Sequence, residues 1–475
     1  MFRFSRLLLF AGAAASLAGA QPSWGWPAVG PKYSAPVEPP VALAPSDPRV
    51  TTAEAAAPAW WRAFGDPQLD ALMAKGLASN LDLRVALDRV GEARALFHRS
   101  QFDLFPHITN DATYTRSDEQ VPGFSKAQVN IAQADLGFDA TWEIDLFGRV
   151  RHEVQAARAD AEAAREDLRD ARVLVVAEIA RNYLLLRGAQ ARRAAAEENA
   201  RTAQDTLRLT QVRQDIGTGD PVDMESARAR LNATEASIPP LRSAESEAAH
   251  RLAVLVGARP GTLDAELSAP AATGPAAPAA VPIGDAAQFL RQRPDVRAAE
   301  RRLAAETART GVATAELFPR INVTGFVGFL SGDVSSLFKS GSHAWAISPS
   351  VTWPGLDLGS AHARLRAQEA RQDESRAAYD QAVLRAVEDL QNAVVAYRER
   401  QQEVVSLSQQ VSAARRAADL AHIRYKEGRI DFLRVLDAER TRLEAEDALT
   451  QAQTNANIDV VSIYKALGGG TGQGV

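Results

Sequence analysis

The chain has 475 residues, of which 46% are hydrophobic and 24% charged, and its formal net charge is −5. This balance argues against a nucleic-acid-binding protein, which usually carries a basic patch. Cysteine is absent, which excludes disulfides, thiol catalysis and cysteine metal sites. No constellation of nucleophile, metal ligands or acid and base stands out, so we expect no enzymatic activity, no metal and no cofactor.

Residues 1–20 have the features of a secretory signal peptide. Arg3 and Arg6 give a positive start, residues 7–17 are apolar, and Ala18-Gly19-Ala20 is a small-residue cleavage site. The apolar stretch is too short to span a bilayer, and no later run is long enough for a transmembrane helix. We therefore expect the protein to be exported.

Downstream, helical, strand-like and Pro/Gly-rich segments alternate. Helical periodicity begins near Asp66-Pro67, an N-cap followed by proline at the first helical position. The predicted segments are an extended segment 21–58; a first repeat 59–257 with a β-hairpin at about 107–146, a long helix 149–216 and a return helix 221–256; a linker 258–284; a second repeat 285–468 with a β-hairpin at about 320–355, a long helix 360–427 and a return helix 432–467; and a tail 469–475.

The two repeats are visible as internal self-similarity. A shift of 211 positions places Trp142 on Trp353, Gly217 on Gly428 and Asp220 on Asp431. Upstream the offset becomes 213, as in the match of Phe105-Pro106 to Phe318-Pro319. A repeat of this length is too long for a solenoid unit, so we predict two copies of one large supersecondary unit.

Each predicted hairpin alternates apolar and polar residues with a period of two. The pattern gives four long strands, with Gly-, Ser- and Pro-rich loops at 116–130 and 331–343. Trp142, Trp345 and Trp353 lie toward strand ends, as in interfacial aromatic girdles. A soluble sandwich is the simpler interpretation of one such strand, but export, strand length and these tryptophans together favour a membrane barrel.

Four strands cannot close a barrel, and an open edge cannot face lipid. We therefore expect an oligomer: a dimer would give eight strands and a filled interior, whereas a trimer would give twelve. The small and polar inner faces favour the trimer and an open lumen. The two long helices, each about 100 Å long at 1.5 Å per residue, would continue the barrel as a coiled-coil tube. The predicted fold class is thus an α+β membrane protein.

Several motifs together resemble the TolC/OprM-like outer-membrane efflux channels, in particular their NodT-type branch within the RND efflux outer-membrane factors. The matching stretches are residues 29–33 (VGPKY), 60–69 (Trp-Trp through Phe64, Asp66-Pro67 and Leu69), 141–148 (TWEIDLFG), 293–296 (RPDV), and Gly428 through Asp431 to residues 436–440 (LDAER). The likeness covers nearly the whole mature chain in the family's order.

The resemblance implies a homotrimer with a twelve-stranded outer-membrane barrel and a long helical barrel extending through the periplasm. It also implies a periplasmic adaptor and an inner-membrane pump of the RND class as partners, with the chain as their passive exit duct. The helix-tip turns at Gly217, Gly219 and Gly428 would face the adaptor.

The resemblance also implies a gate at the periplasmic tip. By position, Leu433 would form an apolar constriction, Asp437 a carboxylate ring, and Arg440 polar contacts with a neighbouring helix that hold the closed state. Charged rings set pore selectivity. The alternative is an ordinary solvated helix face, since an acid near a helix start also suits the helix dipole. In the first repeat Ser226 stands where the second has Asp437.

One position departs from the family pattern. The NodT-type branch usually has a lipidated cysteine where this chain has Ala20, so we expect no lipid anchor. Two other functions remain open at this point: a type I protein-secretion duct, and a soluble periplasmic adaptor or scaffold.

Overall fold

The computed structural model describes residues 28–36, 51–52, 54, 57–120, 128–268, 278, 280–284, 290–291 and 293–469. The predicted signal peptide 1–20, Ala20 included, lies outside these residues, as do most of the extended segment 21–58 and all but the first residue of the tail 469–475. No helix in the described part of the chain is long and apolar enough to cross a membrane.

The helices and strands follow in chain order. The helices are α1 (Pro67–Ser79), α2 (Leu81–Phe102), α3 (Arg149–Asp215), α4 (Pro221–Ala236), α5 (Ile238–Leu255), α6 (Asp264–Leu267), α7 (Pro294–Ala315), α8 (Leu358–Lys426) and α9 (Phe432–Ala466). The strands are β1 (Thr51–Thr52), β2 (His107–Gln120), β3 (Gln128–Ile144), β4 (Val281–Pro282), β5 (Arg320–Ser331) and β6 (His343–Thr352). Short 3-10 helices lie at Trp60–Phe64, Val334–Ser336 and Ser340–Ser342.

The described residues fall into two compact units. The first contains residues from 28–33, 96–157 and 305–372, and the second contains residues from 34–95, 158–304 and 373–469. The first unit is built on a four-stranded antiparallel sheet in the order β2-β3-β5-β6. Strands β2 and β6 are the edges of this sheet, and they run antiparallel to each other.

Register places most of the large apolar residues of the four strands on one face of the sheet, with Phe326 and Leu330 of β5 on the other. Phe138 pairs with Asn110 on one side and with Val327 on the other, and Val327 pairs with Trp345. Large apolar side chains on this face are more than half exposed: Ile108, Tyr114, Phe138, Val327, Trp345, Ile347 and Val351. The opposite face carries mainly small and polar residues, among them Thr109, Asp111, Asp135, Asp139, Ser348 and Ser350. The sheet thus exposes an apolar face that a water-soluble protein would cover.

The second unit packs helices around a core of apolar residues. Tyr183 of α3 and Tyr397 of α8 are its largest fully buried side chains. The Tyr183 hydroxyl donates to Asp66 Oδ2 at 2.5 Å, and the Tyr397 hydroxyl donates to the Pro278 carbonyl at 2.7 Å. Each buried hydroxyl therefore has a partner, which avoids the cost of burying an unpaired polar group.

Both long helices lie within two residues of their predicted bounds, but the return helix 221–256 is wrong as a single element. The chain breaks at Ser237 into α4 and α5, with Pro239 and Pro240 in the first turn of α5. Proline removes a helical N–H donor and its ring clashes with the preceding turn, so an uninterrupted helix cannot pass this point.

Two predicted loops are also more ordered than expected. Strand β2 continues to Gln120 and β3 begins at Gln128, so much of the predicted loop 116–130 is paired strand. The linker 258–284 contains the helical turn α6 and strand β4, which pairs in parallel with β1. The β1–β4 pair joins segments more than 200 residues apart, a contact that local sequence patterns do not encode.

Candidate functional site

The tip of the first helical hairpin is a glycine turn between α3 and α4. Gly217 has φ +76°, a conformation that side chains with a Cβ rarely adopt. Its N–H donates to Gln214 O, and the N–H of Thr218 donates to Arg213 O, both at 2.9 Å. These two bonds form a Schellman motif, which satisfies the last carbonyls of α3. A Cβ on Gly219 would lie 2.6 Å from the backbone nitrogen of Gln214, so glycine is required there for close approach.

The tip of the second hairpin repeats this construction between α8 and α9. Gly428 has φ +69°, its N–H donates to Tyr425 O at 3.0 Å, and the N–H of Arg429 donates to Arg424 O at 2.9 Å. Aspartates cap the helices that follow: Asp220 accepts from Val222 N at 2.8 Å, and Asp431 from Arg434 N at 2.9 Å.

A small apolar cluster holds the two hairpins together just behind their tips. Phe432 and Val435 of α9 pack with Ala227 of α4, and all three are almost fully buried. Tyr425 of α8 contacts Phe432, with ring centroids 5.4 Å apart. Arg213 of α3 lies over the Tyr425 ring at 4.8 Å and donates to its hydroxyl at 2.5 Å. The tips are therefore fixed to each other by both packing and a cation–π contact.

The three residues predicted for the gate lie on α9 behind the second tip. Leu433 is 52% exposed, in contrast to its buried neighbour Phe432. Asp437 lies one turn further on, and Arg440 Nη2 donates to its Oδ1 at 2.7 Å. The side chains of Arg440 and Asp437 are 58% and 60% exposed. The structure thus brings the three residues onto one stretch of helix surface.

Within this chain, Arg440 pairs with Asp437 of its own helix and approaches Glu444 at 3.9 Å. The contacts with a neighbouring helix that the resemblance implied stay a prediction. Residues three and four apart on a helix are surface neighbours, so this pairing follows from the sequence spacing alone.

Several charged groups lie close to one another near the tips. Burial raises the pKa of Asp223, in the first turn of α4, and the nearby negative charges of Asp220 and Asp431 raise this pKa further. Burial also lowers the pKa of Arg230, two turns along α4. The nearby carboxylates of Glu444 and Glu439 oppose this shift, and the cations Arg440 and Arg442 add to it.

Sequence reasoning missed an ionic network behind the gate residues. His422 Nε2 of α8 lies 2.7 Å from Glu439 Oε1 of α9, and Arg442 Nε donates to Glu439 Oε2 at 2.9 Å. Glu446 accepts from Arg442 of its own helix and from Arg415 of α8. The spacing of Glu439, Arg442 and Glu446 along α9 was the available signal, but the partners on α8 depend on helix pairing.

The three predicted interface tryptophans divide between the two ends of the sheet. Trp142 Nε1 donates to Leu104 O and Trp353 Nε1 donates to Leu317 O, each at 3.1 Å, in equivalent positions of the two repeats. Trp345 lies at the other end of β6 and is 76% exposed. Eight residues separate Trp345 from Trp353, which is about 26 Å along an extended strand. That length is comparable to the apolar band of an outer-membrane barrel, about 25 Å.

No group of three or more potential metal ligands of the His, Asp and Glu types occurs in the described part of the chain. The tips combine a fixed backbone, an apolar cluster and exposed charges. Such an arrangement can constrict or select what passes in front of it.

Comparisons with known proteins agree with the resemblance that the sequence motifs indicated. The family model described as "Outer membrane efflux protein" matches residues 72–258 and 286–469. Nodulation protein T of Rhizobium leguminosarum bv. trifolii is 30% identical over 89% of this chain and 90% of its own length. The antibiotic efflux pump outer membrane protein ArpC of Pseudomonas putida is 29% identical over 93% of this chain and 92% of its own.

A solved structure, that of the outer-membrane channel OprN, is 44% identical in sequence. It superposes with a TM-score of 0.89 over 93% of this chain and 99% of its own. The resemblance that the sequence motifs indicated is confirmed, and so is the location in the outer membrane. The chain belongs to the outer membrane efflux protein family.

Proposed function

We propose that three copies of this chain form a passive exit duct across the outer membrane. The observation that carries this proposal is the four-stranded sheet, which exposes an apolar face and, in the described part of the chain, ends at the edge strands β2 and β6. An open edge cannot face lipid, so further strands must come from other copies. Because β2 and β6 run antiparallel, β6 of one copy can pair with β2 of the next and keep the sheet antiparallel throughout.

Three copies fit better than two. An eight-stranded barrel is filled by its own side chains, whereas twelve strands leave room for a lumen. The face opposite the apolar one carries Asp111, Asp135 and Asp139 on β2 and β3, where water must be available to solvate the carboxylates. A twelve-stranded barrel with this face turned inward provides that water.

The helical part of the duct would be a coiled-coil barrel built from the two repeats. The tip turns at Gly217 and Gly428 share their positive φ, their Schellman bonds and the aspartate caps that follow. The family model also matches two successive segments of similar length. Both observations support six near-equivalent helical hairpins, two from each of three chains.

Within this duct, Leu433, Asp437 and Arg440 would form the periplasmic gate. The exposure of all three on one helix surface supports this role, because side chains that constrict a lumen cannot be buried in their own chain. Three Asp437 carboxylates, one from each copy, would form an acidic ring, since Ser226 occupies the equivalent position in the first repeat.

The proposed partners are a periplasmic adaptor, at the turns of Gly217, Gly219 and Gly428, and an inner-membrane pump of the RND class. The duct would carry small molecules and would perform no catalysis. The relative ArpC is named for antibiotic efflux, which favours small-molecule cargo over type I protein secretion. A soluble periplasmic adaptor or scaffold would leave the exposed apolar face of the sheet without a purpose.

Purification and bilayer recording test the proposal. We expect the protein to require detergent, to have three times the mass of the mature chain by light scattering, and to give discrete current steps in a planar bilayer. A monomer that is soluble without detergent and passes no current would falsify the duct.

A further inference from the structure

The two repeats meet where the long helix of the first packs on the return helix of the second. A Cβ on Gly188 of α3 would lie 3.1 Å from Thr454 Cβ of α9, so the two backbones approach closely at this point. One turn further along α3, Arg192 Nε donates to Asp447 Oδ1 of α9 at 2.7 Å. The residues that continue this face of α3 are all buried: Val173, Ala177, Ala180 and Leu184. The chain itself therefore covers this face.

The equivalent face of α8 is not covered. The shift of 211 positions between the repeats carries the buried face of α3 onto a row of α8 residues, which we call the α8 stripe: Leu384, Glu388, Gln391, Val395 and Glu399. Leu384 is 70% exposed, whereas its counterpart Val173 is 3% exposed. Val395 is 42% exposed, whereas its counterpart Leu184 is 1% exposed. In the described part of the chain, α8 thus lacks the neighbour that α3 has.

Helix α5 has an uncovered row of its own. Moved back by 211 positions, the α9 residues on the same face as Thr454 correspond to a row of α5 residues, which we call the α5 stripe: Ser243, Glu247, His250 and Val254. Thr454 and Val461 of α9 are buried, whereas their counterparts Ser243 and His250 are exposed. Val254 is 48% exposed although it is apolar. Each repeat thus leaves exposed the surface that covers its counterpart in the α3–α9 contact.

The α8 stripe and the α5 stripe do not cover each other within one chain, because both are exposed there. A second copy can supply the missing neighbour of each, and the α3–α9 contact provides the geometry. With the α8 stripe set against the α5 stripe as Gly188 is set against Thr454, Leu384 comes within about one helical turn of Val254. Covering these two exposed apolar side chains would stabilise the assembly.

We propose that the α8 stripe of one copy packs on the α5 stripe of the next, so that the contact between α3 and α9 is repeated between copies. The inference rests on the trimer proposed above, and it assigns the helices that join the copies. Around the tube, contacts made within a chain would then alternate with contacts made between chains. Since Glu399 takes the place of Gly188, the two helices would be further apart at that point in the contact between copies.

Cysteine crosslinking tests the contact, because the chain has no cysteine of its own. The seam pair combines Ser243→Cys with Glu399→Cys, and we expect oxidation or a short bis-maleimide to join the chains of the full protein in detergent, up to three on a denaturing gel. The offset pair, Val254→Cys with Glu399→Cys, is the matched control. Val254 lies about 16 Å along α5 from Ser243, too far for a disulfide, which needs Cα atoms within about 7 Å.

Light scattering before crosslinking separates failure of the contact from failure of the duct. A trimer whose seam pair does not link, links only within one chain, or links no better than the offset pair would overturn the contact and leave the duct function unaffected. A monomer would overturn both.

A substitution in the α8 stripe gives a second readout. Leu384→Asp, added to the seam pair, should slow the linking of chains by about tenfold, because the contact would bury a carboxylate without a partner. Leu420→Asp is the matched control on α8. Leu420 is also exposed, but so is its counterpart Leu209, so its exposure does not reflect a missing copy. Equal slowing in the two variants, or no slowing in Leu384→Asp, would contradict the proposed contact.

Discussion

Replacing Asp437 with alanine separates the proposed role in the gate from any role in folding. The Asp437–Arg440 pair lies within one helix, and both side chains are more than half exposed. Exposed pairs of this spacing contribute about 0.3–0.5 kcal/mol. We therefore expect Asp437→Ala to leave the melting temperature nearly unchanged, so that any change in current reports on the lumen.

The electrostatic effect should be larger than the structural one. For a cation about 6 Å from each of three carboxylates in water, the summed Coulomb attraction is about 2 kcal/mol. Screening at physiological salt reduces this to about 1 kcal/mol. That energy corresponds to roughly a fivefold local enrichment of cations. Asp437→Ala should abolish the enrichment, and it should also widen the constriction, because alanine is smaller than aspartate.

The assay is conductance in a planar bilayer under a salt gradient. Asp437→Ala should raise the conductance and shift the reversal potential toward zero, because cation preference falls. Ser226→Asp should shift the reversal potential the other way, since it adds three carboxylates at the equivalent position. Glu444→Ala removes the same charge from an exposed site on α9 and serves as the control. An unchanged current and reversal potential in Asp437→Ala, or an equal shift in Glu444→Ala, would refute the acidic ring.

Three further predictions concern stability. Gly428→Ala should destabilise the second tip by about 1 kcal/mol, because φ is +69°. A Cβ there meets no other atom, so the backbone conformation alone causes the loss. The loss would be seen as faster hydrogen exchange around the turn, and unchanged exchange would contradict it. Burial raises the pKa of Asp170 to about 6, with a further contribution from the negative charge of Asp295, so the folded state is stabilised as pH falls through 6. At pH 8, Asp170→Asn should raise the free energy of unfolding by about 1 kcal/mol after screening, seen as a higher melting temperature. At pH 4 it should have no effect. Trp353→Phe removes the hydrogen bond to Leu317 O and should cost about 1 kcal/mol in urea unfolding, and an equal loss in Trp345→Phe would show that the bond is not the cause.

The elements with strong local patterns could be predicted from the sequence. The two long helices followed from runs of about 68 residues that contain one glycine and no proline, and the sheet faces followed from the alternation between Ala132 and Ile144 in β3. The break at Ser237 was also encoded, because Pro239 and Pro240 begin α5. The β1–β4 pair was not predictable, since two-residue strands carry no periodicity and their pairing depends on the packing around them.

The sequence likewise predicted some features of the candidate site and not others. The tip turns could be placed from Gly217, Gly428 and the aspartates that follow, because those residue types have specific backbone roles. The contact between His422 and Glu439 could not, since it requires the relative rotation of α8 and α9.

At their tips the two repeats share the residues that the turns require, and they differ at an exposed position that folding does not require. Both tips have a glycine at positive φ and an aspartate cap, and both tryptophan–carbonyl bonds measure 3.1 Å. At the proposed gate one repeat has Ser226 and the other Asp437, whose exposed ion pair adds little stability. Since packing does not account for an aspartate at position 437, its presence is best explained by the lumen that this side chain would face. A tube of six nearly equal hairpins would then have close to sixfold shape but only threefold charge.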